Sequence, residues 1–227
     1  MESESINSGS GVVTFLDVLG WKGIFDRTPD AIKRLTNLIR GLRARADQQR
    51  GKIGSDTLIK SISDTIAIFT SCNDGQSVEA IQIHGVLCQW AISQSIDAEI
   101  PLRGAIAYGE FALSENIFVG RAVDEAAAWH EYADWFGVHL TPSAEYVFKQ
   151  PNQTGLWHPY TPPNKVRINW KPCCVNWTQF WKDRTLEEKN LKSKFRRLGP
   201  IVPDIAIKFA NTLSFVTEMN AVAVGQS

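Results

Sequence analysis

Apolar and polar positions along the chain follow two rhythms, and the changes between them mark the elements. Residues 11–19 are a short apolar run with β-branched Val12, Val13 and Thr14, which predicts a strand carrying Asp17 near its end and stopping at Gly20. Residues 29–50 change to helical spacing, with Ile32, Leu35, Leu38, Ile39, Leu42 and Ala46 on one face and arginines and lysine on the other. Residues 57–70 alternate as a β-hairpin does, reversing at Ser63-Asp64 and returning through Ile66, Ile68 and Phe69. A second sheet-packing helix is predicted over 78–96, in which His84 reads as structural.

Further on, residues 102–110 predict a strand ending in a turn, with a short return through Phe111-Ala112-Leu113. Gly120 precedes an alanine-rich helix over 121–134, where Ala126, Ala127 and Ala128 leave room for close packing or a ligand. A strand at 137–140 and a short helix from Pro142 follow. Residues 151–164 have loop chemistry, and 166–170 predict a last core strand. The tail divides into a charged helix over 178–197 and an apolar one over 205–216. The order β-α-β-β-α-β with additions predicts an α+β fold, an antiparallel-rich sheet with helices on one face plus a C-terminal helical tail.

Asp17 and Asp64 stand out because each interrupts a strongly apolar, strand-like run. An ionised carboxylate taken out of water costs several kcal/mol unless a cation or donors compensate it. Singly, each reads as turn chemistry, Asp17 as a helix cap before Gly20 and Asp64 as a hairpin tip. Together, on neighbouring strands, they suit a shared hard divalent cation bound through oxygen.

Composition removes several function classes. Lys plus Arg number 24 and Asp plus Glu number 24, so no overall charge points to nucleic acid or an anionic membrane surface. No apolar run is long enough to span a bilayer, and the polar, Ser-rich start is unlike a secretory signal. Cys72, Cys88, Cys173 and Cys174 lack metal-site or redox spacing, which fits a reducing, cytoplasmic setting.

Four pieces, in order, resemble the catalytic domain of class III nucleotide cyclases. They are Phe15-Leu16-Asp17-Val18-Leu19-Gly20-Trp21, Lys60-Ser61-Ile62-Ser63-Asp64, Leu102-Arg103-Gly104-Ala105-Ile106-Ala107-Tyr108-Gly109 and Gly120-Arg121-Ala122-Val123-Asp124-Glu125-Ala126-Ala127. The resemblance implies a ferredoxin-like palm, a catalytic domain over residues 11–175 after a flexible 1–10 segment, and an extension over 176–227 packed on the core or on a partner subunit. It implies a homodimer with active sites at the interface, and two ions of Mg²⁺ or Mn²⁺ per site held by Asp17 and Asp64. The ribose 3′-hydroxyl would attack the α-phosphate and displace pyrophosphate. Backbone N–H groups of Val18, Leu19, Gly20 and Trp21 would face the triphosphate, with Lys22 as an added charge or a solvated side chain.

The departures from that family narrow the reading. Where adenylate cyclases carry a lysine and an aspartate that read adenine, this chain has Lys60 and Ile117; where their ligand-facing helix carries Asn and Arg, it has Asp124 and Ala128. With Phe-Leu-Asp-Val-Leu-Gly-Trp-Lys-Gly and Arg-Gly-Ala-Ile-Ala-Tyr-Gly-Glu, the chain looks like the pyrimidine cyclases of bacterial Pycsar antiphage systems. Those make cyclic UMP or cyclic CMP, which activates a separate effector. Lys60 donates to a carbonyl such as uracil O4, and Ile117 offers no acceptor to an exocyclic amine, which favours UTP over CTP. Tyr108 is a candidate for base stacking. Alternatives are a degenerate cyclase-homology dimer that binds nucleotide, and a purine cyclase with a rebuilt pocket. The resemblance further makes Arg103 a base contact if it points into the dimer groove, His130 a phosphate donor in place of the absent Arg, and the basic stretch Lys189 to Arg197 a reach to triphosphate oxygens across a dimer. Apart from the resemblance, Lys60 reads as a solvated strand face, Ile117 as core, Arg103 as a sheet-surface residue, His130 as a satisfied interface histidine, and Lys189 to Arg197 as a solvated helix face.

Overall fold

The computed structural model describes residues 7–21, 24–54, 56–115, 117–149, 155–166, 168–182, 188–198 and 203–224. Its elements are β1 (Asn7–Val18), α1 (Ile24–Arg27), α2 (Ala31–Gln48), β2 (Thr57–Ile62), β3 (Thr65–Ser71), α3 (Ser77–Asp97), β4 (Leu102–Ser114) and β5 (Ile117–Val119). They continue with α4 (Arg121–His130), β6 (Val138–Leu140), α5 (Pro142–Val147), β7 (Trp157–Pro159), β8 (Cys173–Val175), α6 (Thr178–Lys182), α7 (Glu188–Arg197) and α8 (Pro203–Val224). The strands form one sheet in the order β2-β3-β1-β4-β6-β8-β7, with β5 pairing β4 off this path. Among the described residues, only β4 and β6 pair in parallel.

β1 lies between β3 and β4 and is covered on both sides, which explains its unbroken apolar run. Val12 and Leu16 enter one core with residues of α2 and α3. Val13 and Phe15, on the alternate pleat, enter a second core with Ala122, Val123 and Ala126 of α4. The expected α+β fold with a mainly antiparallel sheet is present; α2 and α3 share one face, and α4 packs on the other. In α2, Leu35, Leu38, Ile39, Leu42 and Ala46 are buried at helical spacing, as predicted, whereas Ile32, expected on the same face, is exposed. His84 is fully buried, with Nδ1 2.6 Å from the Thr14 hydroxyl and Nε2 2.9 Å from that of Thr70, a structural role.

Three expectations differ from the structure. β4 does not turn at Gly109 but runs on to Ser114, because β1 starts at Asn7 and pairs with it over its whole length, Asn7 opposite Leu113. Among the described residues of the 166–170 segment, none lies in a strand. Val166 and Ile168 are exposed, and the buried Cys174 and Val175 form the strand instead, pairing with β6 and with β7, which arises inside the expected loop. The short segment before Gly11 was expected to be flexible; Asn7–Ser10 belong to β1, and residues 1–6 lie outside the described residues.

The tail is packed on the core. Trp177 and Trp181 are buried, and α8 presents Phe209, Thr212, Phe215, Val216 and Met219 at helical spacing to Trp135, Phe136 and Tyr160. In α7, Lys194 pairs with Asp97 at 2.7 Å and Arg197 with Glu99 at 3.2 Å, so part of the basic run binds the end of α3 rather than facing only solvent. Among the described residues, no helix is long and apolar enough to cross a membrane.

Candidate active site

Asp17 is the penultimate residue of β1, directly opposite Thr65 of β3 and Arg103 of β4. Side chains of opposed residues share a face, and Asp17 shares that of Phe15, the α4 face. Asp64 is set at the hairpin tip by Ser63, whose positive φ of 55° makes the tight reversal. The hairpin is tied to β1 by the Val18 N–H, which donates to the Asp64 carbonyl at 3.2 Å. Both carboxylates border one cavity of about 370 Å³, floored by the 18–21 loop.

Arg103 is the decisive neighbour. Its guanidinium is almost entirely buried and donates from Nε and Nη2 to Asp17 Oδ2 at 3.3 and 3.2 Å, while Nη1 donates to the Glu131 carbonyl at 3.1 Å. Burial nevertheless raises the Asp17 carboxyl above its usual range; nearby Asp64 raises it further, against the lowering effects of Arg103 and His130. Asp17 is therefore a carboxylate whose charge is not fully offset.

That observation bears on a divalent cation. Among the described residues, no group of three or more His, Cys, Asp or Glu side chains could hold a metal ion. A hard cation such as Mg²⁺ uses one or two carboxylates and completes its shell with water and substrate phosphate oxygens. Asp17, engaged by Arg103 only through Oδ2, and Asp64 on the same cavity fit such an ion.

No protein-family model matches the sequence, and no curated protein matches it. Solved structures do. The catalytic core of a rhodopsin-guanylyl cyclase with converted specificity, in complex with ATPαS, superposes with a TM-score of 0.55 and 18% identity over 77% of this chain and 98% of that one. The adenylyl cyclase CyaB from P. aeruginosa gives 0.52 and 12% over 75% and 95%. The guanylyl cyclase Cya2 gives 0.52 and 11% over 74% and 92%. The chain has the nucleotide-cyclase fold.

Within this cyclase fold, the expected site residues are not all brought together. Asp17, Asp64, Val18, Leu19, Gly20 and Trp21 line the one cavity. The Val18 and Leu19 N–H groups, however, are engaged within the chain, by the Asp64 and Pro101 carbonyls, which corrects the expectation that both face a triphosphate. Lys22 lies outside the described residues. Lys60 is opposite Ala67 and so shares the α4 face with Asp17, but it does not line the cavity; neither does Asp124, exposed on the first turn of α4.

Tyr108 and Ile117 fall on the other face. Tyr108 is paired with Val12, which belongs to the α2–α3 core, and its hydroxyl donates to Asp74 at 2.6 Å. Ile117 is 70% exposed, not core, while its neighbour Phe118 turns to the α4 face against Phe15 and Phe69. Strand parity puts both out of reach of Asp17 in the same chain.

Sequence reasoning undervalued Arg103, which it read as a sheet-surface residue or a base contact in the dimer groove, not as the partner of Asp17. The signal was the one that marked Asp17: a charge interrupting an apolar run, here Leu102-Arg103-Gly104-Ala105-Ile106. Lys165 and Lys208, which also border the cavity, had no such signal, because each lies in a polar or amphipathic stretch.

Proposed function

We propose that this protein is a nucleoside triphosphate cyclase that converts UTP, or CTP, to the 3′,5′-cyclic monophosphate and pyrophosphate. The observation that carries the reading is the meeting of Asp17, Asp64 and Arg103 at one cavity of a cyclase-type sheet. In the reaction the 3′-oxygen bonds to the α-phosphorus, the bond from that phosphorus to the bridging oxygen breaks, pyrophosphate leaves with the electron pair, and the 3′-hydroxyl proton passes to solvent water. Asp17 and Asp64 hold Mg²⁺ or Mn²⁺, two ions per site. Bound there, such ions lower the pKa of the attacking hydroxyl and offset charge on the leaving phosphates. Arg103 orients the Asp17 carboxylate and supplies fixed positive charge beside the phosphates.

The base-reading side comes, in this proposal, from a second copy of the chain. Lys60 and Asp124 share the α4 face with Asp17 but stand away from its cavity, which is what a site divided between two subunits needs. Lys60 donates to a pyrimidine carbonyl, and Ile117 provides no acceptor for an amine. Tyr108, held by Asp74 on the far face, is left out of the base pocket. The catalytic unit spans 11–175, with 176–227 as its helical extension, and the cyclic product is a cytoplasmic messenger for a separate effector in antiphage defence, as the sequence resemblance implies.

The test is incubation of purified protein with each of the four nucleoside triphosphates and Mn²⁺, followed by chromatographic separation of products. Cyclic UMP as the main product is expected, and Asp17→Ala or Asp64→Ala should each abolish turnover in a folded protein. Cyclic AMP or cyclic GMP as the main product would overturn the pyrimidine reading; nucleotide binding with no cyclic product would identify a degenerate dimer.

A further inference from the structure

Glu99, in the turn between α3 and β4, also borders the cavity beside Asp17 and Asp64. A carboxylate that holds no cation repels a polyanion, so its place on this wall calls for a reason. Its backbone adds a second cost. Glu99 has a φ of 60°, in the left-handed region that disfavours a residue with a Cβ. It stands just beyond the end of α3, where its N–H donates to the Ile96 carbonyl at 3.2 Å and that of Ile100 to the Ser95 carbonyl at 2.9 Å. Helices that end in this pattern usually place glycine or asparagine at that position.

Both costs are offset by what the side chain holds. Oε2 accepts from Arg34 of α2 at 2.8 Å, and Oε1 pairs with Arg197, the last residue of α7, at 3.2 Å. Arg34 is fixed in turn, donating from Nη1 to the Ala98 carbonyl and from Nε to Asp30, both at 2.9 Å. With a guanidinium on each oxygen, the Glu99 charge is neutralised within the protein. The side chain thus ties α2 and the tail to the α3–β4 turn. Two residues on, the Pro101 carbonyl accepts the Leu19 N–H at 2.9 Å, and Leu102 and Arg103 then open β4. Leu19 lies in the loop that floors the cavity, and Leu198, next to Arg197, borders it. A connected path therefore runs from tail to turn to cavity floor.

We propose that Glu99 is a positioning residue of the nucleotide site: it clamps α2 and the tail onto the α3–β4 turn and so holds the Leu19 loop preset for the nucleotide. The inference rests on the cyclase reading above, and it gives the tail a part in substrate binding through geometry. A loop held in place before binding need not be ordered during it, so the clamp lowers KM and leaves kcat alone.

Steady-state kinetics on the full chain test this, with Mn²⁺ and whichever nucleoside triphosphate the wild type cyclises fastest, beside hydrogen exchange without nucleotide. Glu99→Gln keeps the shape and removes the charge. It should raise KM roughly 5- to 20-fold, hold kcat within about twofold and speed exchange of the Leu19 amide roughly 10-fold. Arg197→Gln should act in the same direction, with Arg197→Lys keeping KM near that of the wild type. Glu99→Gly removes the clamp but relieves the left-handed backbone, so KM should rise as in Glu99→Gln with a thermal midpoint no lower. A purely structural Glu99 gives the opposite split, with less active protein and hence a lower apparent kcat at unchanged KM. A carboxylate that only repels phosphate gives a lower KM in Glu99→Gln. Either result, or an unchanged Leu19 exchange rate, overturns this inference and leaves the cyclase reading in place. A wild-type chain that cyclises none of the four nucleotides overturns the cyclase reading and this inference with it.

Discussion

Arg103→Met tests whether the Asp17–Arg103 pair is a buried electrostatic unit. The substitution keeps an apolar stem of similar length and removes a guanidinium whose side chain is 8% exposed, leaving Asp17, 14% exposed, with its charge stranded. Breaking a buried pair by removing one partner costs about 3–5 kcal/mol. The open cavity beside Asp17 admits water, which places the expected loss near the lower end, about 3 kcal/mol. Urea denaturation at pH 7 measures it. Adding Asp17→Asn to Arg103→Met removes the stranded charge, so the double variant should be more stable than Arg103→Met alone, with a coupling of about 2–3 kcal/mol.

The pH dependence has a definite sign. The Asp17 carboxyl is already raised in the folded state by burial, and loss of Arg103 raises it further. A raised folded pKa gives stability that is fully present below the unfolded value and is lost as pH rises through the folded value. The Arg103→Met deficit should therefore be larger at pH 7 than in acid. For comparison, Arg50 with Asp47 and Asp56, all more than 60% exposed, should lose less than about 1 kcal/mol on Arg50→Met. A loss that small for Arg103→Met, independent of pH, would refute the view that Asp17 needs a counter-charge.

Three further outcomes follow from packing and burial. Gly104→Ala would put a Cβ 2.3 Å from the Phe15 carbonyl oxygen and 2.6 Å from a Leu16 methyl, so thermal denaturation should show a loss of about 2–3 kcal/mol or more. Thr212→Val preserves shape but leaves the buried Phe136 N–H without its acceptor, and should cost about 1–3 kcal/mol in urea titration. His84 is held neutral by burial, its pKa lowered to about 3, and His139 likewise to about 4. A depressed folded pKa gives stability present above the unfolded value and lost as pH falls, so the urea midpoint should drop below about pH 6.5, with His84→Gln reducing the slope by about 1.4 kcal/mol per pH unit. An unchanged slope in His84→Gln would show that His84 does not bind a proton on unfolding.

Much of the first half of the fold was legible because each element there has one clean rhythm. The 3.6-residue spacing of Leu35, Leu38, Ile39, Leu42 and Ala46 admits only a helix, and the reversal at Ser63-Asp64 is fixed by local turn chemistry. The second half was less legible because its strands are three residues long. β7 and β8 are held by pairing with each other and with His139 of β6, contacts distant in sequence, whereas Val166 and Ile168 have strand-like composition but stay exposed, and Trp170 packs by its ring on Trp129 and His139. The end of β4 misled for the same reason: Gly109 permits a turn, and the long ladder with β1 overrides it.

The site divides along the same line. An aspartate that interrupts an apolar run announces itself in one dimension, so Asp17 and Asp64 stood out from the order of residues alone, and both border one cavity. Which face such a residue takes depends on register, and a shift of one residue reverses every assignment on a strand. Asp17, Phe15 and Arg103 share the α4 face because Asp17 stands opposite Arg103, while Tyr108, five positions beyond Arg103, has the opposite parity and goes to the α2–α3 core with Val12. The same alternation separates Ile117 from Phe118. Lys208 belongs to a third class, placed by a helix packing on a distant loop through Phe136 and Thr212, so that no pattern within α8 marks it. Charge within an apolar run thus finds residues that the sheet buries, and only the pairing register and the docking of the tail decide which of them meet in one cavity.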